Sequence, residues 1–317
     1  MNKDLNFAIL GPGKISHRFV KGFGFTTGAK LLAVASRDIN KAVDYAKEYN
    51  IPKAYGSYQE MLQDNEIDAV YIATPPKFHY QQVMMCLEAN KHVICEKPFL
   101  ATKEELKHVF DYAKEKNLFL MEAMKSVFLP TTKQVKKWLD EKLIGDVKYI
   151  EASYCYDGDF DDSHWVYDRN NMGGGMFDVG VYPVAYVNAL MNSTIVEKNR
   201  LSHINKHGSD DFTLITLRYE NGVIASLRGA IRLNTDNKAY IYGTKGKIVV
   251  SDYWKANKAT LYTYNGQEIV FELEQPSEFT YQIQEVIDCI KTGKIQSDIM
   301  GYEASLQLLD IVGYDEK

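Results

Sequence analysis

The sequence contains few cysteines for its length, and they lie far apart. Four occur in 317 residues, and no two form a Cys-x-x-Cys pair; they are Cys86, Cys95, Cys155 and Cys289. This spacing excludes the disulfide frameworks of small secreted domains and the ligand sets of zinc modules. We therefore expect free thiols in a reducing compartment and no metal site.

Clusters of positive charge are also lacking. The chain has 37 basic and 42 acidic residues, a net charge of −5, and no run of lysines or arginines. Proteins that bind nucleic acid usually carry a concentrated basic patch. A nucleic-acid partner is therefore not expected, and a small-molecule substrate fits the composition better.

Long hydrophobic runs are scarce as well. One uncharged window, residues 179–196, has the length of a membrane span, but it contains glycine, proline and asparagine and directly follows Asp178. We expect a buried helix of a soluble protein there. The apolar run Phe7–Leu10 is too short for a secretory signal. The prediction is a cytoplasmic protein without a membrane partner.

What the sequence does contain is a regular alternation of strands and helices in its first 122 residues. Short apolar runs begin at Phe7, Leu31, Ala69, Val93 and Leu118, with amphipathic helical segments between them. Alternating units of this kind predict an α/β Rossmann domain with a doubly wound parallel sheet. No proline- or serine-rich linker marks its end, and we place the boundary after Glu122.

Residues 123–317 follow a different pattern. Segments 147–154, 212–219 and 223–231 alternate, and residues 220–222 and 265–266 carry hairpin signals, Glu-Asn-Gly and Asn-Gly. These features predict an α+β domain with a large, mostly antiparallel, open-faced sheet. Both faces of the predicted strands carry aliphatic side chains, and exposed apolar patches usually mark interfaces. We therefore expect a homodimer joined sheet face to sheet face, with pairing into a tetramer as an open alternative.

A glycine motif follows the first predicted strand. Gly11 permits a tight turn, and Gly13 lets the backbone approach a pyrophosphate. Lys14 then leads into a helix predicted from Ile15 to Phe23, whose N-terminus would hold the pyrophosphate. Ser16 replaces the third glycine of the usual fingerprint. The position between strand and helix favours a dinucleotide site.

The end of the second predicted strand bears on the choice of cofactor. An acidic residue there binds the ribose of NAD, whereas an arginine accommodates the 2′-phosphate of NADP. The pair Ser36-Arg37 therefore favours NADP, with NAD as the alternative. A second interpretation is that Arg37 and Asp38 only cap the next helix.

Two further segments suggest chemistry. Glu96 and Lys97 end the strand that begins at Val93, and ligands of open α/β sheets bind beyond such strand ends. Asp178 and Tyr182 are four residues apart on one face of a predicted helix, after the three glycines 173–175. The alternatives are two solvated charges in the first case, and a helix cap with a core aromatic in the second.

Together these segments resemble the glucose–fructose oxidoreductase/inositol dehydrogenase (Gfo/Idh/MocA) family over nearly the whole chain. Glu96-Lys97-Pro98 is the most specific signal. The others are Gly11 to Ile15, Thr74-Pro75 with His79 downstream, Met121 to Met124, and Gly173 to Tyr182.

Within that family the chain is most similar to the branch of glucose–fructose oxidoreductase and dimeric dihydrodiol dehydrogenase. Many members carry histidine where this chain has Tyr182, and Tyr55-Gly56-Ser57-Tyr58 also fits that branch. One departure is Lys125-Ser126, where the branch often has a tryptophan.

The resemblance implies an NAD(P)-dependent oxidoreductase that moves a hydride between nicotinamide and a carbinol carbon of a sugar, polyol or dihydrodiol. Tyr182 would exchange the alcohol proton, since a nearby ammonium favours a phenolate. Lys97 would supply that charge, and Asp178 would hold Lys97 or a substrate hydroxyl. The cofactor-side wall would comprise Thr74, Pro75, His79 and Glu96.

The substrate pocket has further candidates before the glycine block, on a predicted loop: His164, Trp165 and Arg169. Tyr154, Tyr156 and Phe160 add aromatic surface for stacking on a ring. Two other functions remain open: a glycosidase of the same fold that uses a tightly held NAD, and a non-catalytic nucleotide sensor. Arg37 argues against the first, and the set of Lys97, Asp178 and Tyr182 against the second.

Overall fold

The computed structural model describes residues 3–314. Their contacts divide the chain into two compact units. The first comprises the residues up to Ala123 together with Pro276–Leu306, and the second comprises Met124–Gln275 together with the segment that starts at Gln307. Each is described by itself.

The first unit contains a six-stranded, all-parallel sheet with strand order β3-β2-β1-β4-β5-β6. Its strands are apolar because helices cover both faces of such a sheet. The strands are β1 Leu5–Leu10, β2 Ala29–Ala35, β3 Lys53–Tyr55, β4 Ala69–Ile72, β5 His92–Glu96 and β6 Leu120–Ala123. The helices between them are α1 Lys14–Phe23, α2 Ile39–Tyr49, α3 Tyr58–Leu62, α4 His79–Glu88 and α5 Lys103–Glu115. The predicted Rossmann sheet is confirmed, with β3 as a short edge strand that the sequence did not indicate.

A late segment of the chain returns to this unit. Helix α8, Thr280–Lys291, packs on α1 so closely that a side chain at Gly22 would lie 2.6 Å from Phe279 Cβ. The Thr280 hydroxyl donates to the Gly22 carbonyl at 3.0 Å, and the Leu120 N–H donates to the Ile295 carbonyl at 3.0 Å. A division into 1–122 and 123–317 therefore does not describe this segment, because its partners are distant in sequence.

The second unit contains an eight-stranded sheet with order β14-β13-β12-β11-β7-β10-β9-β8. All its pairs are antiparallel except β7 with β10. The strands are β7 Val147–Cys155, β8 Ile195–Ile204, β9 Asp210–Tyr219, β10 Ile224–Ala230, β11 Lys238–Gly243, β12 Gly246–Ser251, β13 Lys258–Thr263 and β14 Glu268–Glu272. The helices are α6 Pro130–Asp140 and α7 Val181–Leu190, and the last helix, α9 Tyr302–Val312, crosses from the first unit into the second.

One face of this sheet is buried and the other is open, as predicted. Ile215 of β9 pairs with Leu227 of β10, and both are fully buried, whereas Leu214 and Arg228 on the opposite face are only half-buried. Helix α7 packs against β7 and β10. Within residues 3–314, no helix combines the length and hydropathy that a membrane span requires.

Candidate active site

The glycine-rich turn after β1 has the backbone geometry that a bound pyrophosphate requires. Gly11 adopts φ +91°, and a Cβ there would lie 2.7 Å from the Thr74 methyl group. Gly13 is the N-cap of α1, with Lys14 and Ile15 as the first helical residues. The Ser16 hydroxyl, fully buried, donates to the Gly13 carbonyl at 2.7 Å. Ser16 therefore fastens the turn where the usual fingerprint has a glycine.

A cleft of about 380 Å³ opens beside this turn. It lies at the carboxyl ends of β1, β2 and β4, where ligands of open α/β sheets bind. The residues along it include Gly11, Gly13, Ser36, Arg37, Lys41, Tyr58, Thr74, Pro75, Phe78 and Gln82. The glycine turn, the N-terminus of α1 and two cations fit a phosphorylated dinucleotide, with its pyrophosphate at the turn.

The two charges after β2 have different roles. The Asp38 carboxylate accepts the Asn40 N–H at 3.0 Å and caps α2. Arg37 instead lies exposed along the cleft, 5.9 Å over the Phe78 ring and hydrogen-bonded to Tyr58. The capping interpretation thus holds for Asp38, and Arg37 is available to a ligand. Lys41, one turn into α2, adds a second cation that the sequence argument did not single out.

His79 lies away from the cleft surface. It is fully buried; its Nε2 is 2.9 Å from the Thr74 carbonyl, and its Nδ1 is 2.9 Å from the Pro98 carbonyl. Burial lowers the pKa of the imidazole. His79 therefore joins the loop after β4, at Thr74, to the Glu-Lys-Pro turn, at Pro98.

The Glu-Lys-Pro turn follows β5, as predicted. Glu96 is buried and accepts a hydrogen bond from Tyr71 Oη at 2.7 Å, while Lys97 is half-buried. Tyr71 in turn stacks on Phe19 of α1 at 3.7 Å between ring centroids. Tyr71 and Phe19 thus fix the position of Glu96, and Lys97 is the more exposed residue of the pair.

Glu122 is an ionisable group that sequence reasoning did not assign to the site. It stands opposite Cys95 on β6, is 3% exposed, and accepts a hydrogen bond from the Ser305 hydroxyl at 2.8 Å. Burial and, to a smaller extent, Glu96 raise the pKa of this carboxyl, the hydrogen bonds from Ser305 and from the Phe99 N–H and the charge of Lys97 lower it, and the result is a pKa of about 7. The strand ends beside Lys97 therefore include a carboxyl that titrates near neutral pH.

In the second unit, the run of three glycines packs against protein. A Cβ at Gly173 would lie 2.4 Å from the Val166 carbonyl oxygen, and one at Gly175 would lie 3.0 Å from the Gly229 carbonyl oxygen. The run of glycines therefore allows other elements of the protein to approach closely. It lets the π-helix Met176–Gly180 lie directly on β10.

A buried aspartate fixes the start of this π-helix. Asp210 Oδ2 accepts the Met176 N–H at 2.9 Å and the Thr213 hydroxyl at 2.8 Å, and Arg200 lies 3.9 Å from Oδ1. Burial raises the pKa of the Asp210 carboxyl. Asp210 thereby sets the position of the turn that carries Asp178.

Asp178 lies in the π-helix, and Tyr182 lies in the α-helix that follows it. Asp178 belongs to the π-helix and not to a helix N-cap, and its Oδ2 accepts a hydrogen bond from Tyr156 Oη at 2.7 Å. Burial and this carboxylate raise the pKa of Tyr156. Tyr182 belongs to the first turn of α7.

The Tyr182 hydroxyl has a polar partner that was not predicted. Lys125, in the 3₁₀-helix Lys125–Phe128, donates from Nζ to Tyr182 Oη at 3.0 Å. The tyrosine ring also contacts Tyr154, which stacks on Trp254 at 3.7 Å. Tyr182 is therefore not simply a core aromatic. The available signal was the lysine that replaces the tryptophan of similar proteins.

The three loop candidates are placed differently. His164 stacks on Phe160 at 4.1 Å, and its Nδ1 accepts the Val166 N–H at 3.4 Å. Trp165 packs on the cluster that contains Val166 and Ile231, together with Tyr154 and Tyr156. Arg169 lies exposed over the Tyr314 ring at 4.3 Å. Trp165 thus shares a cluster with the aromatics near Tyr182, whereas the contacts of Arg169 are with the C-terminal segment.

Comparison with known proteins agrees with this geometry. The family profile described as "Oxidoreductase family, NAD-binding Rossmann fold" matches residues 5–124, and the profile of the GFO/IDH/MocA C-terminal domain matches residues 132–249. Trans-1,2-dihydrobenzene-1,2-diol dehydrogenase of Mus musculus is 31% identical over 322 residues, which cover 97% of this chain and 95% of the mouse protein.

Two solved structures have the same fold. A 3-ketoreductase from Actinomadura kijaniata in complex with NADP and TDP-benzene has a TM-score of 0.87 and 22% identity, over 98% of this chain and 96% of that chain. Levoglucosan dehydrogenase, in complex with NADH and levoglucosan, has a TM-score of 0.87 and 19% identity, over 98% and 95% of the two chains.

The fold and the cleft define an NAD(P)-binding oxidoreductase. The full-length match narrows this class: the chain belongs to the Gfo/Idh/MocA family, as the sequence motifs had indicated.

Proposed function

We propose that the protein is an NADP-dependent dehydrogenase that acts on a carbinol group of a sugar, polyol or cyclic dihydrodiol. The observation that supports it most is the setting of Tyr182, a buried phenol whose oxygen is hydrogen-bonded to an ammonium. The similar proteins support the substrate class, since they include a dihydrodiol dehydrogenase, a 3-ketoreductase and levoglucosan dehydrogenase.

Cofactor choice rests on the cleft of the first unit. Arg37 and Lys41 are the cations beside Ser36, at the end of β2 where the 2′-position of the ribose binds in Rossmann domains. Thr74 and Pro75 flank the opposite side of the cleft. NADP supplies or accepts the hydride when it is bound. The protein's own part there is to orient the dinucleotide through the glycine turn and to favour the 2′-phosphate through Arg37.

Proton transfer rests on Tyr182 and Lys97. Tyr182 Oη exchanges the hydroxyl proton of the substrate, and Lys97 donates a hydrogen bond to the same substrate oxygen. Asp178, whose Oδ2 accepts a hydrogen bond from Tyr156, orients a neighbouring substrate hydroxyl. Trp165 and Tyr154 provide flat apolar surface of the kind that a sugar or diol ring stacks on.

A panel of aldoses, polyols and dihydrodiols with NADP⁺ and NAD⁺ tests this function. We expect reduction of added NADP⁺ by members of one class, with NAD⁺ a weaker acceptor. A cofactor that co-purifies and is never consumed, with cleavage of a glycoside, would instead establish the glycosidase alternative. NADPH binding without turnover of any compound would favour a sensor.

Assembly is part of the proposal. The open face of the second-unit sheet carries a tyrosine cluster, in which Tyr149 and Tyr242 stack at 5.9 Å and Tyr240 and Tyr242 at 6.0 Å. A charged pair, Arg228 with Glu151, lies on the same face. Aromatic residues and arginine are enriched at the centres of interfaces. We expect a two-fold dimer through this face; a fully active monomer in light scattering across a dilution series would contradict it.

A further inference from the structure

Lys125 lies next to Tyr182, the proposed proton-transfer group. Lys125 Nζ lies 3.0 Å from Tyr182 Oη and 4.6 Å from the centroid of the same ring. The two side chains are 4% and 6% exposed. Both the oxygen and the π-face of the phenol thus meet the same cation in the interior of the second unit, where water screens the interaction poorly.

Other ionisable groups surround Tyr182 on several elements. Tyr154 of β7 lies 5.6 Å away between ring centroids, and Tyr253 follows β12. Tyr186 is one turn further along α7, and burial raises its pKa and that of Tyr253. Asp178, one turn earlier, is bound by Tyr156. These neighbours are phenols and one carboxylate, and none of them carries a positive charge.

Two other cations on elements that pack against α7 have partners elsewhere. Lys136 of α6 donates to the Leu190 carbonyl at the far end of α7, at 3.3 Å. Arg228 of β10 pairs with Glu151 on the open face of the sheet. Lys125, by contrast, lies within hydrogen-bond distance of the phenol oxygen.

We propose that Lys125 is a positioning residue that fixes Tyr182 Oη and stabilises its phenolate form. The inference deepens the proposed function, because it rests on Tyr182 as the proton-transfer group. An opposite charge at this distance lowers the pKa of an acid by about 1–3 units, whereas burial alone would raise that of a phenol. Lys125 thereby makes Tyr182 a usable base, a role that the sequence had led us to assign to Lys97.

The proton balance of the step is simple. In the oxidation direction, the Tyr182 phenolate takes the hydroxyl proton while the carbinol C–H bond breaks, and that hydrogen with its electron pair would pass to the NADP⁺ of the proposed function. Tyr182 later releases its proton to water. The Lys125 ammonium keeps its three protons throughout and donates a hydrogen bond before and after. In the reduction direction the same phenol gives its proton to the new alkoxide.

A difference titration tests the contact without any substrate. Tyrosinate absorption is followed against pH in the wild type and in Tyr182→Phe, and the difference isolates Tyr182 from the other 21 tyrosines. The same pair is then measured in a Lys125→Met background. We expect the Tyr182 midpoint to rise by about 1–2 pH units when the ammonium is removed. An unchanged midpoint would overturn the inference.

Three further variants make the result specific. Lys125→Arg keeps the cation and should hold the midpoint near that of the wild type. Lys133→Met, on the exposed side of α6, makes the same change in net charge and should leave it unmoved. Thermal melts of all variants check folding. A shift in Lys133→Met equal to that in Lys125→Met would overturn the inference, because the effect would then be one of net charge.

The pH profile of turnover separates this inference from the proposed function. If both hold, the Tyr182-dependent limb of kcat/KM moves upward in Lys125→Met by the same amount as the spectroscopic midpoint. If the midpoint moves and the profile does not, Lys125 acts on Tyr182 as inferred but Tyr182 is not the proton-transfer group. That outcome supports the contact and overturns the proposed function.

Discussion

The polar centres of the two units are constructed in different ways. In the first unit, the groups along the cleft follow strand ends or begin helices, so that each lies next to a strong local signal: Gly11 and Gly13 after β1, Arg37 after β2, Thr74 after β4. In the second unit, Tyr182 accepts a hydrogen bond from Lys125, which lies 57 residues earlier in the chain. Parallel strands bring their ends together by topology alone, whereas the Tyr182 centre depends on tertiary packing.

The largest expected effect is a loss of turnover when the Tyr182 centre of the second unit is changed. Tyr182→Phe removes the proposed proton-transfer group, and we expect kcat to fall by about 10²- to 10⁴-fold. Lys97→Ala should lower kcat as well, with the NADPH dissociation constant almost unchanged in both. Tyr264→Phe, on an exposed turn, is the matched control for loss of a phenol hydroxyl. Near-normal turnover by Tyr182→Phe would mean that the proton goes elsewhere, and His164 would be tested next.

The next effect concerns stability in the first unit. Because burial raises the pKa of Glu122 from 4.5 to about 7, the folded state favours the protonated carboxyl. This contribution to stability is complete below pH 4.5 and is lost as the pH rises to about 7. The unfolding free energy of the wild type should therefore fall relative to that of Glu122→Gln by about 3 kcal/mol from pH 4.5 to pH 8.

Denaturant unfolding at several pH values measures this difference. Glu115→Gln, at the exposed end of α5, is the control and should show little pH-dependent change relative to the wild type. A difference for Glu122→Gln that is constant across the range would show that Glu122 titrates normally.

The smallest of the three effects concerns cofactor choice. Arg37→Ala should weaken NADPH binding by about 1.5–3 kcal/mol, the value of a charge-assisted hydrogen bond, and leave NADH binding nearly unchanged. Fluorescence titration of both cofactors measures this, with Lys30→Ala as a control for loss of an exposed cation from the same unit. Equal affinities of the wild type for NADPH and NADH, or an unchanged preference in Arg37→Ala, would contradict it.

The sequence predicted much of the fold because the signals were local. Buried strands such as β1 and β4 read as apolar runs, and the turns at 220–222 and 265–266 join antiparallel pairs as expected. Strand β8 was missed because it is an exposed edge with a polar Glu-Lys-Asn-Arg segment, which does not alternate. Helix α8 packs on α1 of the first unit although it lies within residues 123–317, and this contact between distant segments has no local signature in the sequence.

Residues of the candidate site could be predicted where the residue type and its position after a strand were enough to indicate a role. Arg37 could be inferred from its position after a strand, whereas His79 could not be told from a cofactor contact, because its burial depends on two loops that meet only in the fold. The π-helix that bears Asp178 arises where glycines pack on Gly229, a contact between distant segments. Lys125 was visible only as a departure from similar proteins.

The central claim is that Arg37 of the first unit selects the cofactor and that Tyr182 of the second unit transfers the proton. The most direct test measures the NADPH dissociation constant and kcat at saturating cofactor, side by side, in Arg37→Ala and Tyr182→Phe. The account predicts that Arg37→Ala changes the dissociation constant by about 10- to 100-fold with kcat nearly intact, and that Tyr182→Phe does the reverse. If Arg37→Ala instead abolished kcat at saturating NADPH, or Tyr182→Phe abolished NADPH binding, the division of roles would be contradicted.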